Sequence, residues 1–228
     1  MGRTKNRSNY KRYDINIDEL QQWPYHLSKS TLQIGQHYPE QDDTWDCGPN
    51  SSGRALQMWY KNPKDFIDYS WFKNHCPKTL GSPQTPAGKT KQVICGILSF
   101  YLSVIVTKSL PDVGPSPREL ADYISDNIKG IGRGIFSGKQ SFSTILKEIK
   151  DDLNAGDPVI ALIAWDPFSM HYVNVVGISD ENDIAILDTD NALYYYEESS
   201  FADLLDCSSY IPHNFYLSNY NLIRFEKF

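Results

Sequence analysis

Four residues have the types and spacing to do chemistry together: a thiol at Cys47, a side-chain amide at Gln41, an imidazole at His171 and a carboxylate at Asp188. Cys47 is followed by Gly48 and Pro49 and then by Arg54-Ala55-Leu56-Gln57-Met58-Trp59-Tyr60, a run that can be helical. Proline is tolerated early in a helix, where its missing N–H is not needed. The sulfur is therefore expected at a helix N-terminus, where unpaired backbone N–H groups and the positive dipole end favour an anion such as a thiolate. Gln41 lies six residues upstream. A short connection can fold its amide back beside the sulfur, where an oxyanion would form during acyl transfer.

A buried cysteine taken alone is most often inert. The partners that change this reading lie in the second half of the chain. His171 opens the run Met170-His171-Tyr172-Val173-Asn174-Val175-Val176-Gly177-Ile178, which reads as a strand, and Asp188 ends the next one, Ala185-Ile186-Leu187-Asp188. If the two runs pair across a turn near Ser179 to Asp183, the start of one strand meets the end of the other and Asp188 comes close to His171. A thiolate, a base and a group that orients the base are what covalent acyl transfer requires.

These residues resemble the papain-like fold, and within it the peptidase C39-like group. The likeness is carried by Gln41 with Cys47 at the six-residue offset, by Asp46-Cys47-Gly48-Pro49, and by Gly156-Asp157-Pro158-Val159-Ile160-Ala161-Leu162. His171-Tyr172-Val173 with Val175-Val176-Gly177, and Ile186-Leu187-Asp188, complete it. It covers about residues 36 to 205. The resemblance implies a Cys47/His171/Asp188 catalytic set with Gln41 in the oxyanion hole. The family commonly has Asp-Pro where this chain has Asp188-Thr189-Asp190-Asn191, so Asp190 and Asn191 stand as alternatives for the orienting role.

The elements that must position this set follow from periodicity. After Cys47, Ala55, Met58 and Trp59 mark one buried helical face, with Asn62-Pro63 as its stop. Ser116-Pro117-Arg118-Glu119 is a capping box that opens a helix from Pro117 to Ile128. Ile145, Leu146, Ile149 and Leu153 form another helical face, ending where Gly156 can turn left-handed. Strands are then expected at Val159 to Trp165, His171 to Ile178, Ile184 to Asp188, Ala192 to Tyr196 and Phe215 to Phe225.

The fold class is thus α+β, papain-like, with an N-terminal helical lobe holding the nucleophile helix and a C-terminal twisted antiparallel sheet. Residues 1–35 read as an arm, disordered at its start and irregular between Tyr10 and His37. Residues 36–228 read as the catalytic domain, helical over about 36–156 and sheet over about 157–228. Further expectations are a short aromatic helix at Lys64 to Asn74, a loop at Pro77 to Lys91 and a core helix at Val93 to Val106. The last is too short to span a bilayer. The glycine-rich segment Gly130 to Lys139 fits neither phosphate-binding pattern and reads as a flexible loop at the lobe junction.

Composition narrows the function. The net charge is −6 over 228 residues, and with Arg3, Lys5, Arg7, Lys11 and Arg12 set aside as a solvated basic tail, 17 basic residues face 28 acidic ones. A body that acidic argues against a nucleic-acid partner. Met1 to Asp18 lacks the apolar core of a secretory signal, so the expected location is cytoplasmic, or outside the cell by a signal-peptide-independent route, as for an effector. Four widely spaced cysteines, Cys47, Cys76, Cys95 and Cys207, indicate neither a zinc site nor a disulfide framework. No metal, cofactor or membrane is called for.

The leading function is a thiol peptidase acting on a protein or peptide. The alternatives are another thiol acyl-transfer enzyme (deamidase, transglutaminase or thioesterase) and a catalytically inactive papain-like binding module. If Gln41 serves a developing negative charge, Gln41→Ala slows the chemical step by about 10² to 10³ with little change in stability. A variant with gross destabilisation and an unchanged rate per folded molecule would mark Gln41 as structural.

Overall fold

The structure is a computed structural model that describes residues 9–41, 47–60, 116–128, 130–138, 141–166, 169–207 and 219–228. The expected aromatic helix at 64–74, the loop at 77–91 and the apolar helix at 93–106 lie outside the described residues. In chain order the helices are α1 (Ile17–Leu20), α2 (Lys29–Gln36), α3 (Cys47–Tyr60), α4 (Pro117–Asn127), α5 (Phe142–Ala155) and α6 (Glu198–Leu205). The strands are β1 (Tyr13–Asp14), β2 (Tyr25–His26), β3 (Gly132–Ser137), β4 (Val159–Asp166), β5 (Ser169–Ile178), β6 (Ile184–Leu187), β7 (Leu193–Tyr196) and β8 (Leu222–Lys227).

The strands form one eight-stranded sheet in the order β1-β7-β6-β5-β4-β8-β3, with β2 added against β5. All of its pairings are antiparallel. The architecture is therefore α+β around a large antiparallel sheet. No helix among the described residues is long and apolar enough to cross a membrane.

The central strand β4 shows why the helices lie on both faces. Val159, Ala161 and Ile163 belong to one apolar cluster, with Met58, Ile145, Ile149 and Val173. The alternate residues Ile160, Leu162 and Ala164 belong to another, with Ala55, Leu56, Leu120, Ile124 and Phe225. Side chains alternate across a strand, so a continuous apolar run such as β4 needs a core on each side. The boundaries of β5, β6 and β7 follow from the same alternation and, like those of β4, fall within two residues of the sequence expectation, which those of the last strand do not. There β8 begins at Leu222, and residues 208–218 are outside the description.

Helix ends follow the local chemistry. The box at α4 is complete, since Ser116 Oγ accepts from the Glu119 N–H while Glu119 Oε2 accepts from the Ser116 N–H. α5 ends at Gly156, at φ +75°. Ser179 and Asp183 close the β5–β6 hairpin: the Ser179 N–H donates to the Asp183 carbonyl at 3.0 Å, and the Asp183 N–H to Ser179 Oγ at 2.9 Å.

Two expectations are corrected. The segment Gly130 to Lys139 is not a loop throughout: residues 132–137 are strand β3, paired along its length with β8. Gly132 and Gly134 serve close approach, because a Cβ at Gly132 would lie 2.5 Å from the Glu226 carbonyl and one at Gly134 2.8 Å from the Ala121 carbonyl of α4. The segment around Tyr10 to His37 is not irregular either. It adds β1 and β2 to the sheet and packs Leu20, Leu27 and Leu32 fully into the core.

α3 is the helix on which the site is built, and every residue from Cys47 to Trp59 is buried. Such a helix tolerates little added volume. A Cβ at Gly53 would overlap the hydroxyl of Tyr38, itself fully buried and unable to withdraw. Alanine ordinarily gains up to about 1 kcal/mol over glycine inside a helix. Gly53→Ala is expected to reverse that sign and destabilise by about 1–3 kcal/mol, read as a fall in the urea midpoint at unchanged slope.

Candidate active site

Cys47 is the first residue of α3, and it interacts with the imidazole of His171 closely enough to help raise the pKa of that ring. His171 sits near the start of β5, where pairing with Ile163 of β4 fixes its backbone. Its Nε2 lies 2.5 Å from Oδ1 of Asp188, which leaves Nδ1 as the ring nitrogen for the sulfur. Asp188 directly follows β6, whose last residue Leu187 is in register with Asn174 of β5. The strand pairing thus brings the two residues together from 17 positions apart in the chain.

Neither alternative carboxylate or amide occupies that place. Asp190 is exposed, accepting from the Tyr194 hydroxyl at 2.8 Å and from the Ala192 N–H at 3.1 Å. Asn191 stands at φ +64° and gives its Oδ1 to Arg54 at 2.5 Å. Asp188 is the residue that reaches the imidazole because it is the last one still held by the apolar strand.

Burial and charge set the protonation of this group. Burial alone would lower the pKa of His171, but the hydrogen bonds to Asp188 and Cys47 and the charges of both outweigh it and hold the imidazole well above its ordinary value. Burial alone would raise Asp188. The hydrogen bond and charge of His171, the Thr189 N–H and the Arg12 charge outweigh that and hold the carboxyl below its usual range. The site therefore favours an imidazolium at His171 paired with an ionised Asp188.

Gln41 is half-buried, and its backbone N–H donates to the Thr189 carbonyl at 3.1 Å. The segment of the proposed oxyanion donor is thereby tied to the residue next to Asp188. Residues 42–46, which link it to Cys47, are outside the description. His37, the other histidine close to Cys47 in sequence, donates from Nδ1 to the Gln33 carbonyl, 2.6 Å away, at the end of α2. Its ring is engaged with its own helix. Cys207 is buried in the apolar cluster beneath α3 and α4. No group of three or more His, Cys, Asp or Glu side chains suited to a metal occurs among the described residues.

Two arginines complete the site, and the sequence reading assigned a role to neither. Arg54 lies seven residues after Cys47, so two helical turns place it on nearly the same face. It is fully buried, donating to the backbone carbonyls of Asp188 and Thr189 and to Asn191 Oδ1. Burial draws its guanidinium down to about 10, against the pull of Asp188, Tyr38, Asp190 and Glu40. A charged residue on an otherwise buried helical face was the signal available for it. Arg12 donates from Nη1 to Asp188 Oδ2 at 2.9 Å, across 176 positions of chain. Nothing local to Arg12 announces that contact.

No protein-family model matches the chain, and no curated protein sequence is significantly similar to it.

The two shifts bracket the pH range in which the pair supports the fold. Asp188 is lowered, so its ionisation stabilises the folded chain above its unfolded value of about 3.9, and that contribution is lost as the pH falls through the folded value. His171 is raised, so its protonation contributes fully below about 6.5 and is lost as the pH rises through its folded value. In Asp188→Asn the acid-side fall of the unfolding midpoint is expected to be shallower than in the wild type between about pH 5 and pH 2. Parallel acid limbs in the two proteins would remove Asp188 from the account.

Proposed function

We propose that the protein is a thiol peptidase of papain-like architecture, similar to the C39-like group, with a protein or peptide as substrate. One observation carries the reading: a single imidazole is bonded to a buried carboxylate and interacts with a helix-start cysteine. A structural histidine needs one such partner, whereas nucleophilic catalysis needs both.

The residues divide the reaction as follows. The Cys47 thiolate attacks the scissile carbonyl carbon, and the carbonyl oxygen takes the electron pair and becomes an oxyanion. The Gln41 amide is the side-chain donor for that charge. Collapse of the intermediate breaks the C–N bond while the His171 imidazolium delivers its proton to the leaving amine, giving a thioester on Cys47. His171, now neutral, takes a proton from water, and the hydroxide equivalent attacks the thioester. The carboxylic acid product leaves, and the thiolate–imidazolium pair is restored. Asp188 keeps the imidazole in one tautomer and one orientation throughout.

A trapping experiment tests the reading without a known substrate. Alkylation of Cys47 by iodoacetamide, followed residue by residue with mass spectrometry, is expected to continue at pH 6, where an ordinary thiol of pKa about 8.5 is almost wholly protonated. Cys207 should react only on unfolding. Cys47→Ala should abolish peptide cleavage with the unfolding midpoint retained. A Cys47 no more reactive than Cys207 in the folded protein would refute the peptidase reading.

A further inference from the structure

The carboxylate of Asp188 divides its two oxygens between different tasks. Oδ1 accepts from His171 Nε2 at 2.5 Å and from the Thr189 N–H at 2.7 Å. Oδ2 accepts from Arg12 Nη1 at 2.9 Å. Rotation of the carboxylate would break both sets at once, so the occupant of Oδ2 fixes which oxygen faces the imidazole.

Arg12 is held in place by more than this ion pair. The following residue, Tyr13, is in register with Tyr195 of β7, and their rings stack with centroids 5.0 Å apart. The Ile15 N–H donates to the Leu193 carbonyl at 3.2 Å. The guanidinium lies over the Tyr194 ring, 3.6 Å from its centroid, and the Tyr194 hydroxyl is in turn bonded to Asp190. An exposed ion pair contributes little by itself, because two long side chains must be ordered in water. Here the arginine side chain is 41% exposed but its partner carboxylate only 9%, and strand pairing and ring stacking already order the arginine.

We propose that Arg12 is a positioning residue of the active site, so that the N-terminal arm is a working part of the catalytic apparatus. The inference rests on the thiol chemistry proposed above. Arg12 acts through Asp188: it locks the carboxylate rotamer that orients His171 and places a fixed positive charge behind the Asp188–His171–Cys47 line. The charged and titratable groups around it are Asp188 and Asp190 on the turn after β6, Tyr194 on β7, His171 on β5, and Cys47 and Arg54 on α3. Glu40, before α3, acts on Arg54. Lys11, its neighbour on the arm, lies over the Tyr13 ring at 4.5 Å.

Removing one positive charge makes every nearby proton loss harder. Both limbs of the alkylation profile of Cys47, the formation of the thiolate–imidazolium pair and its loss when His171 deprotonates, should therefore move to higher pH. At low ionic strength the shift is expected to be about 0.3–1 unit in Arg12→Ala and in Arg12→Gln. Arg12→Lys, which keeps the charge, should retain the wild-type limbs. The readout is the second-order rate of Cys47 alkylation by iodoacetamide against pH, with the modified residue identified by mass spectrometry.

A merely structural anchor would lower the unfolding midpoint and leave the profile in place. Superimposed profiles for wild type and Arg12→Ala, or for wild type and Arg12→Gln if the alanine variant does not fold, would overturn the role of Arg12 while leaving the thiol chemistry standing. A wild-type profile with only the limb of an ordinary thiol would overturn the peptidase reading itself.

Discussion

The site depends on a buried arginine. Arg54 places a guanidinium where no water reaches it, and an uncompensated charge there would be prohibitively costly. It is tolerated because its two terminal nitrogens find the carbonyls of Asp188 and Thr189 and the amide oxygen of Asn191, although Nε has no partner among the described residues. The arrangement fastens α3 to the turn after β6. Helix and sheet could otherwise slide past one another on apolar side chains, which attract without direction. Hydrogen bonds to fixed carbonyls remove that freedom. The distance between Cys47 and His171 is thus set by groups that take no part in the chemistry.

The turn at residues 188–191 gathers the remaining parts. Asp188 gives its side chain to His171 and Arg12 and its backbone to Arg54. Thr189 holds the backbone of Gln41. Asn191 adopts a left-handed conformation that an asparagine tolerates better than most residues, and this bends the chain back so that Leu193 can start β7. β7 then carries the arm that brings Arg12. The Gln41 segment, α3, the Asp188 carboxylate and the arm all converge on four residues, and for the proposed chemistry this is the preorganisation that electrostatic catalysis requires.

What the sequence discloses about this site follows the range of the interactions involved. The thiol and its helix were legible because Cys47-Gly48-Pro49 and the spacing of Ala55, Met58 and Trp59 are local patterns. His171 and Asp188 were legible as a pair because one opens an apolar run, the other ends the next, and one short hairpin joins the two runs. Strand β3 was misread because its glycines were taken as a sign of flexibility, when Gly134 lets α4 approach and Gly132 makes room for Trp59 and the Glu226 backbone. Arg12 was hidden in a basic stretch that resembles a solvated tail, and only the pairing of two-residue β1 with β7 reveals its position. Arg54 was visible as a residue but not as a bond donor, since its acceptors are backbone carbonyls that no composition marks.

The separation of Cys47 from its partners along the chain has a consequence for the life of the protein before it is finished. Synthesis delivers the sulfur more than a hundred residues ahead of His171 and Asp188. During that interval the chain carries an ordinary thiol, with no base to activate it. The imidazole acquires its orientation only when the β5–β6 hairpin closes against α3, and Arg12 waits still longer, for β7. Contacts of such long range form late in folding. On the proposed chemistry, reactivity is then a property of the closed fold, and an unfinished or unfolding chain is latent toward itself and toward its neighbours.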